Sequence, residues 1–119
     1  MQTLIIADSS DIVRKVGRKI LSELGYVVTE AATGREAMTA CDAQLPYAII
    51  VDSGLEGALS LITNIRAMPE GKSVRIYYCV IEADLKHMMQ GKRAGASDFL
   101  LKPFDRNSLT QVFGNREAA

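Results

Sequence analysis

The sequence predicts a doubly wound α/β domain, with five short strands alternating with five helices around one parallel sheet. Two observations carry this. Short, mostly apolar runs recur along the chain, and between them lie longer stretches with helical periodicity. The third run, Tyr47 to Val51, is also nearly all apolar and reads as a strand buried on both faces, as in a parallel sheet. Such an order implies right-handed crossovers and helices on both sides of the sheet.

Each element can be justified in turn. Leu4 to Ala7 is the first buried strand. Ile12, Val13, Val16, Ile20, Leu21 and Leu24 then recur at helical spacing, with Gly25 as the stop and Arg14, Lys15, Arg18 and Lys19 mainly on the opposite face. Val27 to Ala31 is β-branched and reads as the second strand; Gly34 and REAMTACDA follow as a helix. Pro46 marks a turn before the third strand, Tyr47 to Val51. Ser53 to Gly57 is a loop, and Leu59, Leu61, Ile62 and Ile65 give the third helix, ending near Pro69. Val74 to Val80 is the fourth strand, and residues 83–94 form a helix with Gly91 as a weak point. Phe99 to Leu101 is the fifth strand, broken by Lys102-Pro103, and Asp105 caps a last helix through Leu109 and Val112. Residues 115–119 read as a frayed end.

The composition excludes several classes. At 119 residues the chain holds one domain, spanning 1–119, and no second core. A hydrophobic share of 48% argues against disorder. The formal net charge of zero gives no field to draw the chain to nucleic acid or to an anionic membrane. No apolar run is long enough to span a bilayer, and the N-terminus lacks the basic leader of a signal peptide. The isolated Cys41 and Cys79 have no metal-ligand spacing and fit buried thiols in a reduced, cytoplasmic setting.

Three strands end in a polar residue directly after their apolar run: Asp8, Asp52 and Lys102. In a parallel sheet all three lie on the carboxyl edge, where open α/β sheets bind ligands. Two carboxylates on one edge repel and favour a hard cation such as Mg²⁺ between them. With Lys102, that edge could neutralise an incoming phosphoryl group while one carboxylate acts as the nucleophile. Alone, Asp8 would serve equally as a turn or capping residue and Lys102 as a solvated lysine. The shared edge favours a functional cluster.

These residues bring a family into view. The stretches IIADSSDIVRK, EAATGREAM, IIVD and AGASDFLLKPF resemble the receiver domain of two-component response regulators, a chemotaxis-regulator-like, flavodoxin-like (βα)₅ fold with strand order 2-1-3-4-5. The resemblance implies that Asp52 is the phosphoacceptor, Asp8 a metal-site acid and Lys102 the bridge to the phosphoryl group. It implies that the Gly54 carbonyl completes the metal shell and that Phe99 holds the aromatic switch position. A histidine kinase or histidine phosphotransferase, docking near the basic first helix, would be the phosphoryl donor. The output would be binding of a downstream protein by a stand-alone receiver with no enzyme activity beyond its own phosphorylation and slow dephosphorylation.

Three departures from the family pattern stand out. Ser9 occupies the place of a second acid, which lowers the local carboxylate charge and predicts weak Mg²⁺ binding. Asp11 is close enough to compensate, or it caps the first helix. Val80 stands where the family has a Ser or Thr, so a hydrogen bond to charge, worth about 1.5–3 kcal/mol, is missing. The loop SGLEG after Asp52 is about two residues short of the family's loop. An alternative is therefore a pseudo-receiver that binds partners independently of phosphorylation. A nucleotide-binding reading is disfavoured, because no Gly-rich loop follows the first strand. His87, the single histidine, fits a surface or structural role.

Overall fold

The computed structural model describes residues 2–82 and 84–114. The expectation of a frayed 115–119 lies outside these residues, as does Ala83, the expected first residue of the fourth helix. Five strands, β1 (Thr3–Ala7), β2 (Val27–Ala31), β3 (Ala48–Asp52), β4 (Arg75–Ile81) and β5 (Asp98–Lys102), form one sheet in the order β2-β1-β3-β4-β5. All four strand pairs are parallel. The helices are α1 (Asp11–Glu23), α2 (Gly34–Ala43), α3 (Ala58–Ala67), α4 (Leu85–Ala94) and α5 (Arg106–Phe113), with a short 3-10 turn at Gly71–Ser73. The strand order reverses direction between β1 and β3, which creates a crevice at their carboxyl ends. Among the described residues no helix is long and apolar enough to cross a membrane.

Alternation along each strand divides the core into two layers. Ile5, Ala7, Ile49, Val51, Ile76, Tyr78 and Val80 pack with Leu61, Ile62 and Ile65 of α3 and with Ala37 and Cys41 of α2. Leu4, Ile6, Ile50, Tyr77, Cys79 and Leu100 pack with Ile20 and Leu21 of α1 and with Leu109 and Phe113 of α5. Tyr77 and Tyr78 therefore bury their rings on opposite faces of the sheet. Tyr77 meets Phe113 edge-on, and the Tyr26 hydroxyl donates to the Phe113 carbonyl at 2.9 Å, which ties α5 to the start of β2.

Helix α1 departs from its apolar pattern. Ile12 and Val16 are exposed, at 77% and 47%, while Arg14 is buried. The helix turns Arg14, Gly17, Ile20 and Leu21 inward. Gly17 sits so close to the sheet that a Cβ there would come within 2.8 Å of Ile6 Cδ1, so this side of the helix cannot rotate away. Ser10, not Asp11, is the N-cap: its side chain accepts the Val13 N–H at 3.2 Å. Asp105 does cap α5, in a reciprocal box with Ser108.

Candidate active site at the carboxyl edge of the sheet

Asp8 follows β1 directly, Asp52 ends β3 and Lys102 ends β5, so the parallel register brings three sequence-distant residues to one point. The Lys102 ammonium donates to Asp8 Oδ2 at 2.7 Å and to Asp52 Oδ1 at 3.1 Å. Asp8 is only 4% exposed. Charges this sheltered from water persist only when paired, and one ammonium here serves two carboxylates. Burial draws the Lys102 pKa down, but the hydrogen bonds and charges of Asp8 and Asp52 outweigh it, and the net shift is upward. The lysine therefore keeps its proton at neutral pH.

Backbone groups fix the carboxylates. Asp8 Oδ1 accepts the Ser10 N–H at 2.8 Å, and Asp52 Oδ2 accepts the Gly54 N–H at 3.1 Å. A Cβ on Gly54 would come to 3.1 Å from the same Oδ2, so a side chain there would crowd the acceptor oxygen. The Ser53 N–H donates to the Cys79 carbonyl at 2.9 Å, which anchors the start of the loop to β4. Gly57 closes that loop with φ +79, a left-handed conformation that glycine adopts without strain, and is the N-cap of α3.

The other predicted residues are placed less centrally. Ser9 is exposed and lines a cleft of about 470 Å³ with Thr33, Arg35, Leu55 and Glu56. Asp11 is exposed and paired with Arg14, so it contributes nothing to the carboxylate cluster. Val80 is wholly buried in the α2–α3–α4 layer. Phe99 is half-buried against that same layer and pairs in register with Tyr78. His87 lies in the first turn of α4, where its Nδ1 contacts Oδ2 of Asp84, the N-cap of that helix.

The donor set fits Mg²⁺. That ion takes one or two carboxylates and retains several waters, and Asp8 and Asp52 supply two carboxylates. Among the described residues no group of three or more acidic, histidine or cysteine side chains is positioned for a metal. The fit is therefore of the minimal kind, with Lys102 as an electrostatic competitor.

Sequence reasoning missed Arg14, which it placed on the solvent face. Its Nη1 donates to the Asp8 carbonyl at 2.7 Å and its Nε to Glu30 Oε1 at 3.1 Å. Arg14 thus clamps the β1–α1 turn that carries Asp8 to β2. Glu30 also receives Arg18 at 3.2 Å and Lys15 at 3.6 Å. An i,i+3 pair of Asp11 and Arg14 is visible in the sequence, but nothing there signals that Arg14 is buried.

Residues 4–113 match the family described as the response regulator receiver domain. The chain is 29% identical over 112 residues to the chemotaxis protein CheY1 of Helicobacter pylori, covering 91% of this chain and 90% of that protein. It is 31% identical over 107 residues to the transcriptional regulatory protein PrrA of Mycobacterium tuberculosis, covering 87% of this chain. There the chain spans only 44% of the relative's length. Among solved structures it is similar to the receiver domain of the sensor histidine kinase PA1611 of Pseudomonas aeruginosa. The TM-score is 0.86 and the identity 28%, over 99% of this chain and 98% of that one. That structure has a magnesium ion coordinated in its active-site cleft.

Proposed function

Since this chain belongs to the response-regulator receiver family, we propose that it accepts a phosphoryl group on Asp52 from a phosphohistidine partner, a histidine kinase or histidine phosphotransferase, and signals by protein–protein contact. The observation that carries this reading is the Lys102 ammonium bridging Asp8 and Asp52 at 2.7 and 3.1 Å. In the transfer, a carboxylate oxygen of Asp52 attacks phosphorus and the P–N bond breaks. The electron pair stays on the ring nitrogen, and the imidazole leaves neutral when its other nitrogen carries a proton. Lys102 turns from Asp8 toward a phosphoryl oxygen as charge arrives there, and the Gly54 N–H continues to orient the acceptor. Asp8 and Asp52 would hold a Mg²⁺ ion, whose charge would help neutralise the phosphoryl oxygens.

Beside this site lies a groove of about 180 Å³, lined by Ile12, Val13, Val16, Lys102, Pro103 and Phe104. Its exposed apolar residues, next to the reactive lysine, suit a donor protein that must bring a histidine to Asp52. The free, buried Cys41 and Cys79 are in keeping with a reducing, cytoplasmic setting.

A second reading has its own support. Ser9 is not an acid, Val80 is buried and cannot donate, and Lys102 already neutralises the acceptor. A pseudo-receiver that binds its partner without phosphorylation would carry the same features. An amide NMR titration with Mg²⁺ and then beryllofluoride, run on the protein and on Asp52→Ala, separates the two. Asp52-dependent shifts around Asp8, Gly54 and Lys102 are the expected result. No response at millimolar Mg²⁺ sinks the acceptor reading and leaves the phosphorylation-independent binder.

A further inference from the structure

Val80 leaves the end of β4 without the hydroxyl that would join the acceptor site to the rest of the fold. Two residues earlier on the same face stands Tyr78. Both side chains belong to the layer facing α3 and α4, and Tyr78 is 1% exposed. Tyr78 pairs in register with Val51, the residue before the acceptor. With Ser53, Ser60, His87 and Gln90 it lines a cavity of about 260 Å³ between the β3–α3 loop and α4. One wall of that cavity therefore adjoins Asp52, and another belongs to α4.

The ring is mechanically tied to α4. A Cβ on Gly91 would lie 2.4 Å from Tyr78 Cδ2 and 2.9 Å from Cγ, so the helix backbone rests directly on the aromatic face. Gly91 is thus a required close approach rather than a weak point of the helix. Burial first, and then the negative charges of Asp52 and Asp84, raise the Tyr78 pKa. The phenol accordingly stays protonated, a donor within the electrostatic reach of the acceptor carboxylate on one side and of the α4 N-cap on the other.

We propose that Tyr78 is the positioning residue that replaces the missing β4 hydroxyl, linking charge at Asp52 to the position of α4. The inference rests on the acceptor reading above. Added negative charge at Asp52 draws the phenolic O–H toward the site, and α4 follows because its Gly91 face is seated on the ring. The Asp84–His87 pair at the N-terminus of α4 lies beside the same cavity and moves with the helix.

The test is the amide spectrum of the Mg²⁺–beryllofluoride state in the wild type, in Tyr78→Phe, and in Tyr78→Phe combined with Val80→Thr. Tyr78→Phe keeps the ring that packs on Gly91 and removes only the hydroxyl. The expected outcome is that shifts around Gly54 persist in Tyr78→Phe while shifts over residues 85–94 fall by at least half. Adding Val80→Thr restores them by returning a hydroxyl to the end of β4. A purely structural tyrosine would not be rescued in this way. Undiminished α4 shifts in Tyr78→Phe overturn the inference alone, whereas a wild type with no response near Asp8, Asp52 and Lys102 overturns the acceptor reading with it. Should Tyr78→Phe fail to fold, ¹⁹F spectra of the fluorotyrosine-labelled protein decide the matter. The Tyr78 line, assigned with Tyr26→Phe, Tyr47→Phe and Tyr77→Phe, shifts on beryllofluoride addition if the inference holds and stays fixed if it fails.

Discussion

Charge balance at single residues governs what the sheet edge can bind. Asp8 and Asp52 share one ammonium, and Ser9 adds no charge. Replacing Ser9 with Asp returns a third carboxylate, and Mg²⁺ affinity, read by calorimetry, should rise about tenfold, the equivalent of ~1.4 kcal/mol. Lys102→Met removes the competing cation. Even a water-like screening of ~1 kcal/mol per unit charge at contact distance predicts at least about fivefold tighter Mg²⁺, alongside a loss of phosphoryl acceptance. Equal Mg²⁺ affinity in wild type and Lys102→Met would mean that the ammonium does not compete for the carboxylates. At this scale the sequence was informative for Asp8, Asp52 and Lys102, because each terminates an apolar strand and the strand direction fixes its edge. It was uninformative for Arg14, since a guanidinium that finds a carbonyl and two carboxylates can be buried on a face that composition alone marks as wet.

Among the elements, α1 and α4 carry the site's support. Arg14 joins α1 to β2 through Glu30 and to the site through the Asp8 carbonyl. Arg14→Met should cost about 3 kcal/mol in a urea melt, the low end for breaking a buried pair, because Lys15 and Arg18 still reach Glu30. The pH dependence has a definite sign. Burial raises the Glu30 pKa, but its hydrogen bonds from Arg18 and Arg14 outweigh this and the net shift is downward. A lowered carboxylate pKa stabilises the fold above the unfolded value, ~4.3, and that contribution is lost as pH falls through the folded value. The gap in stability between wild type and Arg14→Met should therefore be full at neutral pH and shrink as the pH falls below ~4. A gap that stays constant would mean that the Arg14–Glu30 contact does not stabilise the fold. In α4, Gly91→Ala sets a gain of helix propensity, ~1 kcal/mol, against overpacking on Tyr78 of ~1–3 kcal/mol. A lower melting temperature is expected, and a higher one would show that the ring yields freely. Helical periodicity placed both helices correctly. It could not say which side of α1 meets the sheet, because Ile12 and Val16 continue an apolar stripe that stays exposed.

For the whole molecule, the parallel topology does the assembling. Residues 8, 52 and 102 are distant in sequence and adjacent in space only because β1 lies between β2 and β3 and all strands point one way. The parallel direction was legible because a strand buried on both faces reads as a continuous apolar run, whereas the strand order came only from the resemblance to the receiver family. The consequences of Val80 were not, since a missing donor says nothing about which neighbour takes its place, and only the packing shows Tyr78 against Gly91. Phosphoryl acceptance comes down to one covalent bond, on Asp52. The most direct measurement is the intact mass of the protein after incubation with Mg²⁺ and a small phosphoramidate donor, with the modified position trapped by borohydride reduction and located by peptide sequencing. A gain of one phosphoryl group, mapped to Asp52 and absent in Asp52→Ala, is the predicted result. No gain, or a phosphoryl group on another residue such as His87, would contradict it.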